Sequence, residues 1–86
     1  MTPFERNSAF ARAQKRLHEA REILEKALGV NPYFSETHYN LALVLEEIGE
    51  IEKARLHYRK FAETAGEENS QLAERVRAHL QKMAGK

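Results

Sequence analysis

The chain has 86 residues and a formal net charge of +1, which leaves room for one domain and gives no bulk attraction to nucleic acid or anionic lipid. Apolar residues make up 42% of it, twelve of them alanine, and only 4 Gly and 2 Pro interrupt it, a balance that suits helices. All 13 acidic residues are Glu and there is no Cys, which excludes a disulfide framework, a thiolate metal site, a cysteine nucleophile and any aspartate-based mechanism.

Five helices are predicted in chain order: 3–14, 17–29, 35–48, 51–65 and 69–84. Thr2, Pro3 and Glu5 form a helix start, with Thr2 as N-cap, Pro3 in the first turn and Glu5 completing a capping box. Leu17, Ala20, Leu24, Ala27 and Leu28 recur at steps of three and four, one face of a second helix. A tight turn at 14–16 would put Lys15 at positive φ, costing about 1–2 kcal/mol relative to Gly, so a single bent helix over 3–28 stands as an alternative. Gly29, with Asn31 and Pro32 behind it, is expected to end this segment in a left-handed cap. Ser35 is the expected N-cap of the third helix, which stops at Gly49. Ile51, Ala54, Arg55, Tyr58, Phe61 and Ala62 line the inner face of the fourth, ending near Gly66. Asn69 or Ser70 caps the last, whose inner stripe is Leu72, Ala73, Val76, Leu80 and Met83.

Charge is unevenly spread. Residues 31–52 carry five Glu and no base, between two mildly basic ends. No apolar run approaches the 18 residues a membrane span needs. The opening Met1-Thr2-Pro3-Phe4-Glu5-Arg6 places charges where a signal peptide would be apolar, so a soluble, cytoplasmic protein is expected.

A shift of 34 residues lays Leu17 on Ile51, Ala20 on Ala54, Arg21 on Arg55, Leu24 on Tyr58, Lys26 on Lys60 and Pro32 on Gly66. That period, with His38, Leu41, Ala42 and Leu45 on one helix, the Gly49-Glu50-Ile51 turn, and Ala54 and Tyr58 on the next, resembles the tetratricopeptide repeat. The first copy is more degenerate. Phe4 and Ser8 hold first-helix positions, Asn7 stands where Leu belongs, and Gln14 to Ala20 is similar to a variant of the inter-helix turn. The resemblance implies a single all-α domain over 1–86: a degenerate repeat at 1–34, a well-matched repeat at 35–68 and a capping helix at 69–86. It also implies a right-handed superhelical stack of antiparallel helix pairs. Ala20, Ala42 and Ala54 are the small residues that would let paired helices approach to about 8 Å.

On the helix 35–48, Leu41, Val44, Leu45 and Ile48 gather on the core side. Tyr39 and Leu43 point nearly opposite, flanked by Glu36, Asn40, Glu46 and Glu47. In the repeat family this first-helix face lines a concave groove that binds partner peptides, and its composition suits an amphipathic or basic segment. The alternative is that Tyr39 and Leu43 pack against helices 3–14 and 69–84. Glu5, Ala9 and Arg12 share the matching face of the first helix, and Ala73, Glu74 and Arg77 that of the last. Arg12 and Arg77 could hold a carboxylate of the partner. The family's carboxylate-clamp class is not matched: Asn40 coincides with one clamp residue, but Glu5, Ala9 and Glu74 replace the others.

Catalysis finds no support. His18, His38, His57 and His79 are never three or four residues apart, so no helix presents a metal-ligand pair, and no metal or cofactor is expected. His38 is expected to be a hydrogen-bonded core residue. Adjacent Glu46 and Glu47 diverge by about 100° on a helix, there is no glycine-rich phosphate loop, and no aromatics alternate with bases as nucleic-acid binding would want. The expectation is a non-catalytic adaptor that binds a protein or peptide. The alternatives are a homodimer, formed through the Tyr39/Leu43 face or through Phe4 and Phe10, and a fragment of a longer repeat protein.

Overall fold

A computed structural model describes residues 9–84. Among them are four α-helices and no strand: α1 (Ala9–Val30), α2 (Ser35–Ile48), α3 (Ile51–Thr64) and α4 (Ser70–Ala84), with a 3-10 turn at Glu67–Asn69 leading into α4. Packing runs between chain neighbours, α1 on α2, α2 on α3 and α3 on α4, giving a slab of 49 × 33 × 20 Å.

The expected break at 14–16 is absent. Residues 9–30 form one helix of 22 residues, so the single-helix alternative holds for this stretch, and the described residues hold four α-helices where five were expected along the chain. Gln14, Lys15 and Arg16 are strong helix formers, and continuing the helix avoids placing Lys15 at positive φ. The start expected at Thr2, Pro3 and Glu5 lies outside the described residues. Two caps also differ. Gly29 stays helical, and the chain leaves α1 after Val30 through an Asn31 turn, in which the Tyr33 N–H donates to Asn31 Oδ1 at 3.2 Å. Ser35 is the first residue of α2, not its cap; Phe34 precedes it in extended conformation and accepts from the Thr37 N–H at 3.1 Å.

Gly49 behaves as expected. Its φ of 105° is the one positive value among the described residues, and it lets the Gly49 and Glu50 N–H groups close back on Leu45 and Glu46. This left-handed cap turns the chain within two residues and folds α3 antiparallel onto α2. Ala42 on α2 and Ala54 on α3 are both 0% exposed, as is Phe61, whose ring meets that of Tyr39. Leu41, Leu45, Tyr58, Ala62, Ala73 and Val76 complete the core. Ile51, placed on the inner face by its spacing, is 41% exposed at the start of α3.

His38 is the buried polar residue expected from its position. Its Nε2–H donates to the Pro32 carbonyl at 2.8 Å, which leaves Nδ1 of the neutral ring to accept from His57 Nδ1–H at 2.9 Å. The two rings stack with centroids 5.1 Å apart. One imidazole pair thus ties the α1–α2 turn to α2 and α3. Burial, reinforced by nearby His38 and Lys60 against the opposing pull of Glu25, holds His57 below its ordinary pKa of 6.5.

Two outcomes follow from this packing. Ala54→Leu overfills the α2–α3 crossing and should cost about 1–3 kcal/mol in urea unfolding; an unchanged midpoint would place Ala54 off the contact. Because the folded chain binds fewer protons at His57 than the unfolded chain does, its stabilising contribution is complete above pH 6.5 and declines as pH falls below it. His57→Asn keeps a donor for His38 without the titration, so its stability should fall less between pH 7 and pH 5 than that of the wild type, as read by urea midpoints.

Candidate partner-binding groove

A concavity lies between α2 and α4, with α3 beneath it. Tyr39, Leu43 and Glu46 form one wall, Tyr58 the floor, and Leu72, Arg75, Val76 and His79 the other wall, around a volume of about 350 Å³. Their spacing explains the convergence: 39, 43 and 46 fall on one stripe of α2, and 72, 75, 76 and 79 on one stripe of α4. A second hollow of about 570 Å³ continues past Glu46 and His79 toward Ile51, Lys82 and Met83.

Glu46 holds the walls together. Its carboxylate accepts from the Tyr58 hydroxyl at 2.7 Å and from His79 Nε2–H at 2.9 Å, joining α2, α3 and α4 at one point. The Tyr58 and His79 rings meet edge to face at 5.3 Å. Burial, then the hydrogen bond to Glu46, push the Tyr58 phenol well above its usual pKa, so it serves as a fixed neutral donor. Glu, Tyr and His in contact could suggest acid–base chemistry. Here the carboxylate oxygens are bonded to Tyr58 and His79 within the protein, and the lining holds no Ser, Thr or Cys. Among the described residues no three His or Glu side chains converge as metal ligands.

The residues expected to bind a partner separate into two groups. Tyr39, Leu43 and Glu46 come together in the groove, Leu43 41% exposed and Tyr39 half-buried against the rings of Phe61 and Tyr58. Glu36, Asn40 and Glu47 lie further round α2, exposed and outside the lining. Arg12 is exposed on α1 and likewise does not line it. Arg77 turns the other way, donating from Nη2 to the Ala62 carbonyl at 3.1 Å, where it satisfies one of the free carbonyls in the last turn of α3. Of the other face residues, Ala73 is buried, Glu74 and Ala9 are exposed, and Glu5 lies outside the described residues.

Sequence reasoning missed Leu72, Arg75, Val76 and His79 as a wall. The 34-residue shift aims Ala73, Glu74 and Arg77 at the groove, whereas burial of the α4 stripe rotates the helix so that Arg75 and His79 face α2. The apolar spacing of Leu72, Val76 and Leu80 was the available signal.

Tyr58→Phe removes one of the bonds to Glu46 while keeping the ring in place. It should lower stability by about 1 kcal/mol in thermal or urea unfolding, the modest figure reflecting a partly exposed carboxylate; an unaltered melt would mean this bond does not hold α3 to α2.

No helix among the described residues is long and apolar enough to cross a membrane. Comparison with curated proteins and with solved structures returned no match. A family model described as tetratricopeptide repeat matches residues 11–80, most of the chain. With an all-helical architecture and a left-handed Gly49 turn between paired helices, the chain belongs to the tetratricopeptide repeat family, whose members serve as protein-interaction modules.

Proposed function

We propose that this protein is a non-catalytic adaptor that binds a short segment of a partner protein in the groove between α2 and α4. The observation that carries this reading is the exposed apolar wall of Leu43 set against Leu72 and Val76 over a rigid Tyr58 floor, in a concavity large enough for one or two side chains. Glu46, the one acid lining this hollow, is already engaged by Tyr58 and His79. Arg75 lines the groove with no carboxylate within 4 Å among the described residues, and it takes the role expected of Arg12 and Arg77. The partner segment therefore offers apolar side chains to the wall and an acidic group to Arg75, with Glu36 and Glu47 outside the groove available to a basic flank. The division into a degenerate repeat at 1–34, a full repeat at 35–68 and a cap at 69–86 belongs to the same reading, with the α2–α3 hairpin as the full repeat and α4 as the cap. A cytoplasmic adaptor of this kind needs no cofactor and makes no use of nucleic acid.

The test is selection of displayed peptides on the immobilised protein, followed by NMR mapping of a selected peptide. Shifts should centre on Leu43, Leu72, Arg75 and Val76. Leu43→Glu and Arg75→Glu should each weaken binding at least ~10-fold with the melt unchanged, since neither side chain is buried. Shifts confined to another face, or full affinity in both variants, would overturn the groove assignment.

A further inference from the structure

α1 is the repeat counterpart of α3, yet the two are covered differently. On α3, Ala54, His57 and Phe61 make up the side that α2 closes over, with His57 bonded to His38 and Phe61 against Tyr39. Thirty-four residues earlier stand Ala20, Ile23 and Ala27. They are left largely open: Ala20 is half-buried, Ala27 exposed, Ile23 66% exposed and Val30, two turns beyond Ile23, 87% exposed, and α1 has no buried residue in 22. The repeat has built this face for a helix to lie on.

The face has a seam. Ala13, Arg16, Ala20, Ile23, Ala27 and Val30 follow one another at alternating steps of three and four, a heptad pattern with Ala in every first position. Glu19 and Lys26 flank it, both exposed, and neither has an ionic partner within 4 Å among the described residues.

We infer that α1 pairs antiparallel with α1 of a second copy of this chain, making a two-fold dimer. In one register the seam complements itself. Ala20 lies opposite Ile23 of the second copy, Ala13 opposite Val30 and Ala27 opposite Arg16, so every layer sets a small residue against a larger one. In that same register Glu19 faces Lys26 of the second copy, and the two-fold axis repeats the pair. A parallel pairing would instead put Arg16 on Arg16 and leave Glu19 without an opposite charge to face. The seam runs for about 26 Å, which is short for a stable interface, so the dimer is a micromolar one. It lies on α1, away from the α2–α4 groove, and stands or falls separately from the groove reading.

Sedimentation or light scattering of the intact chain from about 10 to 500 μM tests it. The wild type should pass from monomer to dimer over this range. Ile23→Glu, at an exposed position, should be monomeric throughout with unchanged helical circular dichroism. Glu19→Lys alone and Lys26→Glu alone set like charges opposite one another and should each weaken the dimer by about 5–10-fold. An equimolar mixture of the two single variants restores both pairs in a heterodimer and should return to within about twofold of wild-type affinity. A wild type that is monomeric at the highest concentration, a dimer that survives Ile23→Glu, or a mixture that associates no better than its components would overturn the inference.

Discussion

The close packing of α2 on α3, with Ala42 on one and Ala54 on the other, is the constraint on which the rest of this fold depends. Two alanines with no exposed surface let α2 and α3 come together closely, and Phe61, equally buried, packs against Tyr39 across the two helices. With that separation fixed, His38 and His57 are near enough to share a hydrogen bond, and Tyr58 is near enough to Glu46 to form the groove floor. A larger residue at either alanine would change the core, the imidazole pair and the groove floor together, because all three span the same two helices.

Glu46 extends this order to α4. α4 packs on α3, but its link to α2 runs through His79 and one carboxylate, with open groove on either side. The groove walls are therefore set by different forces. Tyr39 is held by ring contacts in the core, Leu43 is exposed, and the α4 wall is positioned by burial of Ala73 and Val76. The groove thus combines a rigid floor with one wall whose angle depends on a polar tie.

Much of this was legible in the residues, for identifiable reasons. Gly49 needed positive φ, the apolar spacing of 41–48 and 51–62 was strongly helical, and Tyr39, Leu43 and Glu46 fell on one stripe. What failed was inference carried by repeat register alone. The turn at 14–16 had a counterpart in the repeat but no Gly to accommodate it, and local propensity prevailed in Gln14, Lys15 and Arg16. Gly29 could have capped α1, but the helix runs on to Val30 and stops where Pro32 disfavours helix at Asn31. On α4 the 34-residue register pointed Arg77 at the groove, and the need to bury Val76 turned Arg75 there instead. The carboxylate at Glu46 could be read as a surface charge only, because its partners lie 12 and 33 residues away.

Packing that links each helix chiefly to the next has a kinetic meaning. Such a chain closes few long loops as it forms, since α2 can dock on α3 across a two-residue turn before either end is in place. Cooperativity then spreads outward along the chain, as in a one-dimensional array, and each terminal helix is lost at lower cost than the hairpin between them. Glu46 and His79 interrupt that pattern by joining helices that are not consecutive, so the order in which α4 detaches is governed by one carboxylate and not by its apolar stripe alone.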